Sequence, residues 1–455
     1  MDAQTAKKKA LRVLIFGVIS NFSIGILYTW SNLKDILEYR MVGWENGVTK
    51  ETSATAERLY KEWDISQLTM PYAVGGFISA LIVLYSGSLQ DRIGPTKVII
   101  AGILMVGGGT ILCSFFTHSP YMFTAVFTLL VGNGIGFVYA CPRPAAMKWF
   151  HPSKKGMING VVVAGFGLGA LWLGPLEIFL LKKQMLSLET TLVILGCAIL
   201  AMGLPAAINV VNPPEGYKVP ELKDQTKPLK ETQKKTASVG MKTTMRTPQA
   251  WMLFLVYSFY CSAGALVISN SSDIMKIQSG GLDGPYGATV ASLLGVMVPI
   301  ASISNATGRS LGGILSDNIG RKNVYYIIHT IQAINMFFFH TYTTPTLIIM
   351  GVIITCVAYG SVMSTTPSIV ADYFGLKAYG GNYGIVYTGW GLSLVIGPTI
   401  SSFSKKLNGN YDFAYQAAIV LVLISLVIVY FLKKPKFRQE DVIDDFILAP
   451  EDTKQ

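Results

Sequence analysis

Arg309 is the one charged residue in the run Val290–Ser316, which is long enough to cross a bilayer. An arginine deep in hydrocarbon costs roughly 2.5–3.5 kcal/mol on insertion scales, so such a residue faces a polar cavity or a partner. No carboxylate lies one helical turn away on either side, and the residue four positions earlier is the neutral Asn305. A guanidinium presents a planar fork of donors that fits a carboxylate bidentately. Asn305, on the same helical face, can add an amide hydrogen to the same ligand. The chemistry these two residues predict is reversible capture of a small organic anion, with the anion as the missing partner.

The elements that must hold such a site are membrane helices. The chain has 455 residues, 51% apolar and only 14% charged, where a soluble protein carries nearer a quarter charged residues. Its apolar residues fall into twelve blocks of about 20, the length that spans a ~30 Å hydrocarbon core as a helix, between residues 11 and 433. The predicted fold class is an all-α membrane protein with twelve transmembrane helices. The first block follows Lys7, Lys8 and Lys9 without a small-residue cleavage site and reads as a retained first span. The formal charge of +11 concentrates in the loops on one side, a positive-inside bias that predicts both termini in the cytoplasm. The basic balance is thereby topogenic and does not imply nucleic acid. The five cysteines sit in apolar segments without metal-ligand spacing. No nucleotide loop, catalytic triad or metal cluster is visible, so neither an enzyme nor a cofactor is expected.

The blocks divide six and six about a basic hydrophilic stretch, giving an N-terminal unit 1–211, a linker 212–248, a C-terminal unit 249–433 and a tail 434–455 expected to be disordered. The units echo each other. Gly87-Ser-Leu-Gln-Asp91-Arg92-Ile-Gly94-Pro-Thr-Lys97 recurs 226 positions later as Gly313-Ile-Leu-Ser-Asp317-Asn318-Ile-Gly320-Arg321-Lys322, and Gly160 with Gly165-Phe166-Gly167 recurs 224 later as Gly384 with Gly389-Trp390-Gly391. Such repeats indicate two six-helix units around a central substrate path. Asp317, at the end of the eighth block, lies eight residues beyond Arg309, which puts the arginine about 12 Å deeper, near the midplane. Shifting Arg309 back by 226 positions lands on Val83, so the cation is expected in one unit only, with an apolar or aromatic wall opposite. Tyr28 and Tyr139 are the candidates for that wall, and Tyr359, Tyr387 and Trp390 the candidates from the second unit. Glu177, Asp273 and Asp372 lie near span ends, where solvated or capping roles are expected. The stretch 34–66, with a short surface helix expected over Thr55–Trp63, reads as a solvated outer cap.

The Gly-x-Leu-x-Asp-Arg-x-Gly-x-x-Lys loop between spans two and three resembles the signature of the major facilitator superfamily. The resemblance implies that Gly87, Asp91, Arg92, Gly94 and Lys97, with Asp317, Gly320 and Arg321 in the repeat, make glycine-permitted turns and charge contacts that hold one conformational state. Gly25-Ile-Leu-Tyr28-Thr-Trp30-Ser31, Trp149-Phe150 before Lys154-Lys155-Gly156, Asn159-Gly160, Tyr373-Phe374, Asn382-Tyr383-Gly384 and the arginine of span eight resemble the branch of oxalate:formate antiporters and monocarboxylate transporters. That branch implies a second cation, a lysine, in span eleven, yet 380–403 holds no Lys, Arg or His. The aspartate and first-span lysine of animal proton-coupled carriers correspond here to Asn305 and Asn32. One fixed cation predicts a monoanion, lactate- or formate-like, carried by alternating access. A dicarboxylate antiporter of oxalate type and a non-transporting membrane sensor are the alternatives, and the sequence leaves open the co-transported ion (a proton or none), the direction and the oligomeric state.

Overall fold

A computed structural model of the protein describes residues 3–30, 33, 67, 70–151, 154–183, 186–214, 217, 237–375 and 377–445. The segment 34–66 with its expected helix therefore lies outside the described residues. Twelve helical segments follow in order: Ala3–Ser23, Met70–Ile93, Pro95–Cys113, Pro120–Met147, Lys155–Ile178, Leu188–Ile208, Pro248–Gln278, a broken pair Gly287–Leu294 and Met297–Ile319, then Arg321–Phe339, Pro345–Phe374, Tyr379–Asn408 and Asp412–Phe431. We number these spans one to twelve. Among the described residues eight helices are long and apolar enough to cross a membrane by themselves, or nine when the broken pair is one span. Spans one, nine and eleven fall short of that test because polar residues interrupt them: the lysines of span one, His329, Gln332 and Asn335 in span nine, and the glycines, serines and tyrosines of span eleven. In spans nine and eleven those polar residues turn inward. The outer surface carries Leu104, Leu129, Ile334, Phe337, Val420 and Val427, all exposed, as a face meant for lipid tails.

The breaks have local causes. Span eight bends by 59° between Leu294 and Met297. Pro299, just inside the second segment, has no N–H to offer the Gly295 carbonyl four residues back. Span four carries a π-helical segment at Phe127–Gly132 and a second interruption at Cys141, before Pro142 and Pro144. Both prolines withhold an N–H from the carbonyl one turn earlier.

The sequence echoes reappear as matching geometry. Gly94 and Gly320 share nearly one backbone conformation, φ 88° and ψ 155° against φ 95° and ψ 150°, a left-handed region that glycine enters without a Cβ clash. Both glycines turn the chain sharply from an even-numbered span into the next. Gly87 packs on Gly380, where an added Cβ would stand 2.8 Å from backbone, and Gly313 packs on Gly156, at 2.4 Å from its carbonyl oxygen. Under the two repeat offsets one contact maps onto the other: span two against span eleven, span eight against span five. Only bare glycines allow helices this close.

Below these contacts lie the linker and tail. Residues Ala237–Val239 (β1) pair antiparallel with Val442–Asp445 (β2), so part of the tail expected to be disordered is a strand. The reason is that the linker supplies an edge for the tail to pair with. Asn382, at the start of span eleven, donates from Nδ2 to the Val239 carbonyl and accepts from Thr244 Oγ1 of the short helix Met241–Arg246. The β pair is thereby tied to span eleven. We call this side the linker face.

Candidate functional site

Arg309 lies in the middle of span eight, fully buried. Its Nε donates to Asn305 Oδ1 (2.9 Å), one amino group donates to the Val163 carbonyl of span five (2.8 Å) and the other to the Tyr28 hydroxyl (2.8 Å). Gly167 makes room for it, since a Cβ there would stand 3.3 Å from Arg309 Nε. All three acceptors are neutral, and among the described residues no carboxylate pairs with this arginine. The expected amide contact runs the other way in this state: the Asn305 carbonyl oxygen accepts from the arginine, fixing the plane of the guanidinium.

The aromatic candidates gather in one cluster beside it. Tyr28 meets Phe166 at 5.0 Å between ring centroids, Phe166 meets Tyr139 at 5.1 Å, Tyr139 stacks on Tyr387 at 4.9 Å, and Tyr387 stacks on Trp390 at 4.8 Å. The Trp390 indole N–H closes the chain by donating to the Tyr359 hydroxyl. Span one, through the 3-10 turn Gly25–Thr29 that continues it, and spans four, five, ten and eleven thus converge on Arg309, and all seven predicted binding residues fall within this assembly. A small cavity lined by Tyr28, Ala170, Ile268, Ala301, Ser302 and Asn305 adjoins it on the side away from Asp317.

One expectation is overturned. The first six spans do hold a buried cation: Arg143, on the Pro142–Met147 turn of span four, is 1% exposed. Its guanidinium carbon lies 4.4 Å from the Tyr139 ring centroid and 4.3 Å from that of Tyr383 in span eleven. Its Nε and one amino nitrogen donate to the Tyr139 carbonyl at 3.3 and 3.2 Å. The other amino nitrogen is buried without a hydrogen-bond partner. The residue was missed because five positions separate it from Lys148, so it reads as one more topogenic charge at a span end. The signal that could have found it is the pair of prolines around it, flanked by the uninterrupted apolar residues Tyr139-Ala140 and Ala145-Ala146-Met147.

The linker-face residues divide. Asp317 accepts from Arg321 (2.6 Å) and from the Met157 backbone N–H (3.0 Å) in the first turn of span five, where a carboxylate is favoured by the helix dipole. Arg321 also reaches Asp372 (3.0 Å) and Ser316. Asp91 pairs with Lys148 at 3.7 Å. Arg92 and Lys97 are exposed and take no part in these contacts. Asn159 adds a tie from span five to the Ser364 carbonyl of span ten. On this face spans two and five are therefore closed against spans eleven and eight.

Glu177, Asp273 and His329 have local partners. Glu177 is fully buried rather than solvated at its span end, and accepts from the Thr29 hydroxyl at 2.6 Å. Asp273 accepts from Lys405 and Tyr411. His329 bonds the Tyr325 carbonyl and Ser425 through its two ring nitrogens. Trp149 donates to the Val211 carbonyl, an anchor between spans four and six. Among the described residues no group of His, Cys, Asp or Glu could hold a metal ion.

Comparison with known proteins accords with this architecture. Residues 13–334 and 287–444 match the family model for the Major Facilitator Superfamily. The chain is 27% identical to the MFS-type transporter YhjX of Escherichia coli, covering 84% of this chain and 85% of that one. It is 26% identical to the oxalate:formate antiporter of Oxalobacter formigenes, with 76% of each covered. With the apicoplast pyruvate carrier 1 of Toxoplasma gondii it shares 22% identity over 85% of this chain and 83% of that one. Among solved structures, the human organic anion transporter MFSD10 superposes with a TM-score of 0.62 at 14% identity, covering 93% of this chain and 99% of that one. The chain is a multi-pass membrane protein that belongs to the Major Facilitator Superfamily of transporters.

Proposed function

We propose that the protein carries a small monocarboxylate, lactate- or formate-like, with Arg309 as the residue that holds the carboxylate. The observation that carries this reading is a fully buried guanidinium whose hydrogen-bond partners are all neutral. An unpaired charge in so dry a place is costly unless an anion arrives to share it. The cavity on the side away from Asp317 supports entry from the face opposite the linker. Tyr28, Tyr139, Tyr359, Tyr387 and Trp390 then bound the ligand's size. Exchange of access follows from rocking of residues 1–211 against 249–433, with the Gly87–Gly380 and Gly156–Gly313 contacts and the Asp317 bonds parting on the linker face. That face, with both termini, is the cytoplasmic one in this reading, on the strength of its excess of Lys and Arg.

A dicarboxylate is the second reading, and Arg143 is the observation that favours it, because a second buried cation in the first unit adjoins the same rings. The relatives support carboxylates in general: one is named for oxalate and formate, another for pyruvate. The test is uptake of labelled lactate, formate and oxalate into proteoliposomes, with and without an imposed pH gradient. Monocarboxylate uptake is the expected result. Exchange confined to oxalate sinks the monocarboxylate reading, and stimulation by an inward proton gradient identifies the co-ion.

A further inference from the structure

We propose that Arg143, Tyr139 and Tyr379 form a second carboxylate-binding station, nearer the linker face than Arg309. This inference rests on the reading of the protein as an anion carrier. Three polar groups from two spans are buried without hydrogen-bond partners: an amino nitrogen of Arg143, the Tyr139 hydroxyl and the Tyr379 hydroxyl. Native interiors rarely leave such groups unpaired. All three can donate a hydrogen, and one belongs to a cation. What they lack is an acceptor, preferably an anion.

Geometry joins the three. Tyr139 and Arg143 are one turn apart in span four, with the guanidinium over the Tyr139 ring. Tyr379 stacks on Tyr383 at 5.7 Å, with 8° between ring planes, and the Tyr383 ring centroid lies 4.3 Å from the same guanidinium. Two aromatic faces satisfy the cation only in part. They leave its edge, the unpartnered nitrogen, as the direction of approach for a ligand.

The station is continuous with Arg309. Phe166 lies 5.7 Å from the Arg309 guanidinium and 5.1 Å from the Tyr139 ring that carries Arg143. The depths are staggered: five residues separate Arg143 from Lys148, and eight separate Arg309 from Asp317, which at ~1.5 Å per residue leaves Arg143 about 5 Å closer to the linker face. An anion released by Arg309 toward that face therefore meets the Arg143 edge next. Tyr383 and Tyr379 belong to span eleven and Arg143 to span four, so separation of the two units opens the cage as it frees the ligand.

The carboxylate at this station is either a second monoanion or the far end of a dianion. Formate and oxalate are the probes that separate these sources. The purified full-length protein is titrated with each at constant ionic strength, and the thermal unfolding midpoint is followed. Wild type, Arg309→Gln, Arg143→Gln and the double variant are compared. Arg309→Gln is expected to keep part of the formate-induced rise, and the double variant to lose it. Tyr379→Phe in the Arg309→Gln background, which leaves the ring stack intact, should weaken the residual formate affinity by about 10- to 100-fold, as expected for loss of one donor to a charged ligand. Without anion, Arg143→Gln should melt no lower than wild type, since it removes an unpaired charge; a purely structural clamp would melt lower. Additive losses with oxalate indicate two separate anions, and non-additive losses a single dianion that spans both stations. A clear response in wild type with none in Arg309→Gln overturns the second station and leaves Arg309 standing. A response to formate that survives in the double variant overturns both sites.

Discussion

Replacing Arg309 tests the proposed function most directly, and the structure sets the size of the effect. A guanidinium has five N–H donors. Three are engaged, by Asn305, Val163 and Tyr28, which leaves two for a carboxylate. Charge-assisted hydrogen bonds contribute about 1.5–3 kcal/mol each, so losing the pair costs ~3–6 kcal/mol, or roughly 10²- to 10⁴-fold in affinity. Arg309→Ala should therefore abolish uptake at any practical concentration. Arg309→Lys keeps the charge and loses the fork, with an expected cost near one such bond, about 10- to 100-fold. Folding should survive both changes. In the alanine variant, removing the charge relieves an insertion cost of ~2.5–3.5 kcal/mol, while the three deprived acceptors together cost about 3–9 kcal/mol, so it should insert but melt below wild type. The assay is equilibrium binding and counterflow of labelled formate or lactate in proteoliposomes, beside the thermal midpoint in detergent. Alanine-variant binding and flux close to wild type would refute the reasoning, because then no carboxylate rests on this residue.

Three further outcomes follow from the same structure. Gly313→Val sets a branched side chain against the Gly156 carbonyl, where even a Cβ comes within 2.4 Å, and should lower stability by about 1–3 kcal/mol and bias the linker face open; the melting midpoint and the reactivity of cysteines placed at that face report both. Asp317→Asn weakens the bonds to Arg321 and to the Met157 N–H, so the distance distribution between spin labels at the adjoining ends of spans five and eight should broaden, and an unchanged distribution would remove Asp317 from the gate. His329→Gln should leave any pH-gradient dependence of uptake intact, since both ring nitrogens are bonded inside spans nine and twelve; loss of the gradient response in flux measurements would contradict that assignment.

Hydrophobic block length sets the number of membrane spans, because the bilayer penalises any other arrangement of unpaired backbone. The blocks, the repeat and the lone arginine of span eight were therefore legible one residue after another. Arg309 stood out because nothing near it in the chain could neutralise it, and the glycine echoes stood out because helix contact selects for missing side chains. Arg143 was not legible by that logic. A charge five residues from a span end is ordinary in a sequence, and only packing reveals that Tyr139 and Tyr383 seal it from water. The β1–β2 pair escaped for a related reason: strand pairing between residues 237–239 and 442–445 is a contact across some 200 positions, with three or four residues to signal it on each side.

The sequence by itself determined the membrane class, the twelve helices, the repeat and the candidate cation, each of which is a local property of composition or spacing. The tertiary structure alone decided which side of the bundle is closed, how the aromatic residues of five spans link into one cluster, and that a second unpaired cation shares that cluster. Those are properties of side chains brought together by packing, and no periodicity along the chain encodes them.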